Sequence, residues 1–166
     1  MKADMAKTDD AALREHLVAF LKGGHAHATF ADAVADFPAN RISERPAGIP
    51  YSAWQLVEHI RITLHDLLEF ATNPEYVELD WPSGYWPKDA APGEGESWGA
   101  TVKAVQADLK SFEALVHSAD SNLYATIPWG KNGETLLREV LLAADHTSYH
   151  VGELVLLRRV LGIWKN

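Results

Sequence analysis

Apolar positions recur at three- and four-residue steps in four stretches of the chain, the spacing that lays a continuous stripe along one face of a helix. Leu13, Leu17, Phe20, Leu21, Phe30, Val34 and Phe37 mark the first stretch, about residues 9–37. Gly23 and Gly24 fall inside it; each costs about 1 kcal/mol against alanine in a helix, so a bend or a close backbone approach is expected there. A proline-rich segment, 38–50, separates it from Ser52-Ala53-Trp54-Gln55. That tetrad reads as a capping box, Ser52 accepting from the Gln55 amide and Gln55 reaching back. The second helix should run from there to about Thr72, where Asn73-Pro74 stops it, with Leu56, Ile60, Leu64, Leu67 and Leu68 as its core stripe. Val102, Val105, Leu109, Phe112, Leu115 and Val116 carry a third helix over about 97–118. A fourth spans about 134–161 and ends near Gly162.

Four amphipathic helices without a strand pattern predict an all-α fold, a four-helix bundle filling one domain over residues 1–166. Between the second and third helices, residues 74–95 hold four prolines and three glycines together with Trp81, Tyr85 and Trp86. Such a segment cannot be helical, and its aromatic content predicts a loop packed onto the bundle.

Composition narrows the function. The 166 residues include 15 basic and 23 acidic side chains, a net charge of −8 with no basic block, which excludes a nucleic-acid surface. Cysteine is absent, removing disulfides, thiolate metal ligands and any thiol nucleophile of the protein's own. No apolar run approaches the roughly 18 to 20 residues that span a bilayer, and Met1-Lys2-Ala3-Asp4 opens with acid where a secretory signal is basic. A cytoplasmic protein with no membrane partner is expected.

Histidine is the informative residue. Of eight, His146 and His150 alone have the i, i+4 spacing that stacks two imidazoles on one helix face. Leu136, Ala143, Leu154, Leu157 and Leu161 share that face, so the pair interrupts a stripe aimed at the bundle interior. Two histidines on one helix and a third from a facing helix would form a three-nitrogen metal site with an open position. His59, at the border of the second helix's apolar stripe and in register with Ser52, Thr63 and Phe70, is the best third member. The alternative is three core histidines hydrogen-bonded within the protein. His16 and His65 project to polar faces, His117 sits in the last turn of helix three, and His25 and His27 follow the glycine pair; structural roles are expected for these.

The segments Pro50-Tyr51-Ser52-Ala53-Trp54-Gln55-Leu56-Val57-Glu58-His59-Ile60 and Asp145-His146-Thr147-Ser148-Tyr149-His150-Val151-Gly152-Glu153-Leu154 resemble the DinB/YfiT-like family of metal-binding four-helix proteins. The resemblance covers nearly the whole chain. It implies His59, His146 and His150 as ligands of a divalent metal such as zinc, nickel or manganese. It further implies thiol-dependent transfer using a borrowed low-molecular-weight thiol of the bacillithiol or mycothiol kind, a small-molecule substrate, and a homodimer. One position departs: where the family often has glutamine after the glycine, this chain has Glu153. A carboxylate there is a candidate for proton transfer, although a solvated face residue is the expectation favoured by pattern. Groups that orient the imidazoles through their second nitrogens are needed, and Asp145, Glu58 and Asp66 are the nearby carboxylates on the two helices, none of them strongly favoured by periodicity. Tyr149, Trp54, Trp81, Tyr85 and Trp86 are candidates for a pocket wall, with ordinary packing the commoner role for each.

Other chemistries fit less well. A di-iron carboxylate bundle needs Glu-x-x-His, a zincin needs His-Glu-x-x-His, and neither string occurs. Gly95-Glu96-Ser97-Trp98-Gly99 matches the nucleophile-elbow pattern without the preceding strand, and Ser97 reads instead as a helix N-cap. Metal-dependent hydrolysis and a non-catalytic, stress-related metal-binding bundle remain the open alternatives to thiol transfer.

Overall fold

A computed structural model describes residues 2–165, with side chains from Asp10 onward; Met1 and Asn166, the ends of the expected domain, lie outside the described residues. Five helices form: α1 (Lys2–Lys22), α2 (Phe30–Val34), α3 (Ala53–Thr72), α4 (Trp98–His117) and α5 (Leu136–Val160). Short 3-10 turns occupy Ala39–Arg41 and Ser83–Tyr85. Extended pairing among the described residues is confined to one antiparallel bridge, Thr126 to Thr135. The four long helices make the expected all-α bundle, in which α3 packs on α4 and α5, and α1 packs on the same two. Val57, Ile60, Leu64, Val105, Phe112, Val140 and Leu154 meet in the interior with no exposed surface. Each such side chain stabilises the fold by roughly 1.5–3 kcal/mol.

The first stretch is not one helix. Gly23 and Gly24 take φ of +68° and +87°, a left-handed pair that a right-handed helix cannot contain, and α1 stops at Lys22. The chain then starts a second helix with its own capping box, in which Thr29 accepts from the Asp32 amide and Asp32 accepts from the Thr29 amide. Phe30 and Val34 keep helical spacing because α2 lays them back on α5. Arg158, 4% exposed, fastens this corner by donating to the carbonyls of Ala33 (2.8 Å) and Ala35 (2.7 Å). Its guanidinium lies between the rings of Phe37 and Trp164. Arg14 plays the same part at the end of α4, donating to Val116, Ser118 and Ser121 carbonyls that no helical amide reaches.

The two caps expected, at Ser52 and Ser97, are in place, and Thr135 adds a third that the pattern did not single out. Ser52 and Gln55 form their reciprocal box, Ser97 accepts from the Ala100 amide, and α5 begins one residue after Thr135, which accepts from the Arg138 amide. Yet every residue from Ala53 to Ile60 is buried, where an amphipathic helix would bury only one stripe. The segment after α3 explains it. Ser52 Oγ donates to the Ala90 carbonyl at 2.6 Å, Gln55 Nε2 to Pro87 at 3.4 Å, and His59 Nδ1 to Tyr85 at 2.6 Å. The aromatic segment is thus a strap running along the outer face of α3, as the expectation of a packed loop requires.

Candidate metal centre

The strap and two helices build the site. His59 sits in the second turn of α3, and His146 and His150 occupy successive turns of α5, the helix packed against it. One ligand-capable atom from each lies within 4.8 Å of the others, so the three histidines singled out from spacing do converge. The His59 and His146 Nε2 atoms are 3.0 Å apart.

Hydrogen bonds at the far side of two rings fix which nitrogen is free. The Tyr85 carbonyl can only accept, so His59 carries its proton on Nδ1 and turns the Nε2 lone pair inward. Glu153 Oε2 lies 2.7 Å from His150 Nδ1 and selects the same tautomer there. His146 Nδ1 is buried without a partner among the described residues, so that ring is held by packing and by its Nε2 contact with His59. All three imidazoles are weak bases in this setting. Burial lowers His59, and it holds His146 down to about 3 and His150 to about 4, with the neighbouring imidazoles adding to the effect in the last two. They are therefore neutral near pH 7, the form in which an imidazole binds a metal. A set of three convergent neutral nitrogens, two of them oriented by hydrogen bonds on the other ring nitrogen, fits a divalent transition-metal ion.

Aromatic packing stiffens the centre. The Trp86 indole stacks on His59 with centroids 3.7 Å apart and planes 6° from parallel, and Tyr51 stacks on the other face of the indole at 4.1 Å. Tyr149 sets its ring edge-on to His150 at 4.9 Å and is 66% exposed. The site opens into a cavity of about 700 Å³ walled in part by Trp81, Tyr85, Trp86 and Tyr149, which places all four in the wall. Trp54, by contrast, is 1% exposed and belongs to the core, where its amide donates to Ile42.

The three candidate carboxylates take other roles. Glu58 is engaged by Thr101 and Arg61, Asp145 is exposed, and Asp66 receives the hydroxyls of Tyr76 and Tyr85, both at 2.9 Å. None of them orients an imidazole. Glu153, expected on the solvated face, does so for His150, because three residues along a helix return to the same side. That contact makes it a positioning residue, and burial raises its carboxyl above the usual range. For His59 the orienting group is a backbone carbonyl of the strap, which no residue type announces. His16, His25, His27, His65 and His117 are all exposed and take no part.

A helical bundle with a histidine cluster between two helices, opening into an aromatic cavity, defines a class of protein competent to hold a metal. A family model described as the DinB superfamily matches residues 24–154, and the chain belongs to that superfamily. No curated protein and no solved structure matches it significantly. No described helix is long and apolar enough to cross a membrane.

Proposed function

We propose that His59, His146 and His150 hold one divalent metal ion through Nε2, and that the protein transfers a low-molecular-weight thiol to a small electrophilic substrate. The observation that carries the first part is the convergence of three neutral imidazoles, two with the opposite nitrogen committed to a hydrogen bond. A metal held by three neutral ligands keeps its full charge, and when bound it supplies Lewis acidity that ionises a thiol or a water at neutral pH. Membership of the superfamily, whose members the two histidine segments resemble, supports thiol transfer over hydrolysis. The chain has no cysteine, so the nucleophile of such a transfer is borrowed.

The protein's own residues hold and shield the centre. Tyr85 and Glu153 fix two rings, Trp86 covers one face of His59, and the cavity gives room for two small reactants at about 700 Å³. Elemental analysis of untagged protein, beside a His59→Ala, His146→Ala, His150→Ala variant shown folded by circular dichroism, tests the site. Near-stoichiometric metal in the wild type and none in the variant supports it; equal, negligible metal in both after incubation with each ion refutes it. A screen of electrophiles with and without added thiol then decides the chemistry. Turnover that needs no thiol assigns hydrolysis. Absence of any turnover, with a melting temperature that falls on metal removal, assigns a structural metal.

A further inference from the structure

The imidazoles occupy one end of the cavity, and just beneath the wall of the rest lie polar atoms that none of the chemistry above uses. Glu139 lies on α5, two turns before His146, with no exposed surface. Its Oε1 accepts from Arg138 at 2.7 Å, but Oε2 has no partner, and neither has Thr63 Oγ1 across the cavity on α3. A buried carboxylate oxygen left unpaired costs free energy that a bound donor would recover.

Charge and wall chemistry say which donor. The two cations lining the cavity are already engaged, Lys131 by Glu78 at 3.1 Å and Arg138 by Glu139. Asp66 and Glu134 line it with no salt bridge among the described residues, and both add to the burial that raises the Glu139 carboxyl. Aromatic rings complete the wall: Trp129 is anchored through Nε1 to the Phe70 carbonyl at 2.7 Å, and Tyr76 meets the Phe70 ring at 5.2 Å. Ring faces attract cations and repel anions. Among the described residues an anionic ligand would find no unpaired cation here and a surplus of carboxylates.

We propose that this part of the cavity is a recognition site for an organic cation, an ammonium group carried on an apolar or aromatic body, with Glu139 as its charge partner and Thr63 as an additional acceptor. As a statement about the substrate of the metal centre it rests on the preceding reading; as a statement about binding it needs no metal.

The test is a tryptophan-fluorescence titration of the full chain, read through Trp81, Trp86 and Trp129 in the cavity wall. The probes are 2-phenylethylammonium, 2-phenylethanol and phenylacetate, which share a ring and differ in charge. The ammonium should bind about tenfold more tightly than the alcohol, and the carboxylate weakest of the three. Glu139→Gln keeps shape and hydrogen bonding but removes the charge, and should bring the ammonium-to-alcohol ratio below about threefold with unchanged circular dichroism. Equal affinities in the wild type, no binding of any probe, or a full preference persisting in folded Glu139→Gln overturns the proposal; a water filling the gap gives the first of these. Should Glu139→Gln not fold, the wild-type series and Thr63→Val, expected to weaken the ammonium several-fold, decide the matter. Repeating the series on His146→Ala separates the two readings. An ammonium preference kept in that variant shows that the recognition needs no metal; wild-type protein that shows the preference yet takes up no metal keeps this inference and discards the metal centre, and wild-type metal binding without the preference does the reverse.

Discussion

Acid should destabilise the metal-free protein through the histidine cluster, and the size of the effect follows from the burial of the rings. An unfolded histidine titrates near 6.5, whereas burial holds His150 to about 4 and His146 to about 3 in the folded chain. Both shifts are depressions of a base, so below 6.5 the unfolded state binds more protons than the folded one and stability falls with pH. The contribution is fully present above 6.5 and is progressively lost as pH falls toward 4. Between pH 7 and pH 5 each of the two rings should remove about 2 kcal/mol, and their mutual repulsion prevents either from escaping the loss by protonating in place. Urea unfolding of chelator-treated protein at the two pH values, set against His146→Gln, His150→Gln, isolates this share because the five exposed histidines are common to both chains. The wild type should lose about 3–4 kcal/mol more than the variant on going from pH 7 to pH 5. An equal loss in both would show that the rings are hydrated or already paired, and would remove the argument that they are held neutral for a metal.

Replacing Glu153 by alanine frees the His150 ring and should weaken metal affinity about 10- to 100-fold by competition titration, whereas Glu153→Gln, still an acceptor for Nδ1–H, should lose less than about tenfold. Trp86→Ala removes a half-buried ring stacked between Tyr51 and His59 and should cost about 2 kcal/mol in urea unfolding, with Trp86→Phe recovering most of it. Arg158→Met strips four carbonyl contacts, three at the α2 corner and one to Ile163, and should cost about 3 kcal/mol by thermal unfolding while leaving metal content unchanged.

Periodicity and two serine caps were enough to read α3, α4 and α5 to within a residue or two, with Ser52 and Ser97 marking the starts of the first two and spacing alone placing α5. They misled at residues 23–37, where the apolar spacing of Phe30 and Val34 runs on across a left-handed glycine pair; Thr29 followed by Asp32 was the local signal of a new helix. The histidine cluster was legible for a different reason. Spacing of four on one helix is a property of the sequence, and so is the register of His59 with Thr63 and Phe70, which share its cavity. What orients the rings was not legible. The Tyr85 carbonyl reaches His59 from 26 residues away, at the end of a single short 3-10 turn, and a backbone atom carries no residue signature. Glu139 hides in the same way: at its position it is one more acidic residue in the first turn of a helix, and only the fold shows that it is buried.

The strap couples these features. It supplies the carbonyl that selects the His59 tautomer, the indole that covers His59, and, through Tyr76 and Tyr85, the hydroxyls that occupy Asp66. Desolvation under that cover raises Tyr85 to about 12, so its hydroxyl stays protonated and keeps donating to Asp66 across the working pH range. The helices bring three nitrogens together, but it is the segment between α3 and α4 that decides which lone pair of His59 faces the cavity. Variation in this strap would therefore change the reactant space and the His59 orientation together while leaving most of the bundle core, which the helices build and which the strap meets through Trp86, in place. Double-mutant cycles pairing Trp86→Phe with His59→Gln measure that coupling directly: a shared effect on metal affinity is expected from the stack, and strictly additive effects would mean that the strap covers the site without tuning it.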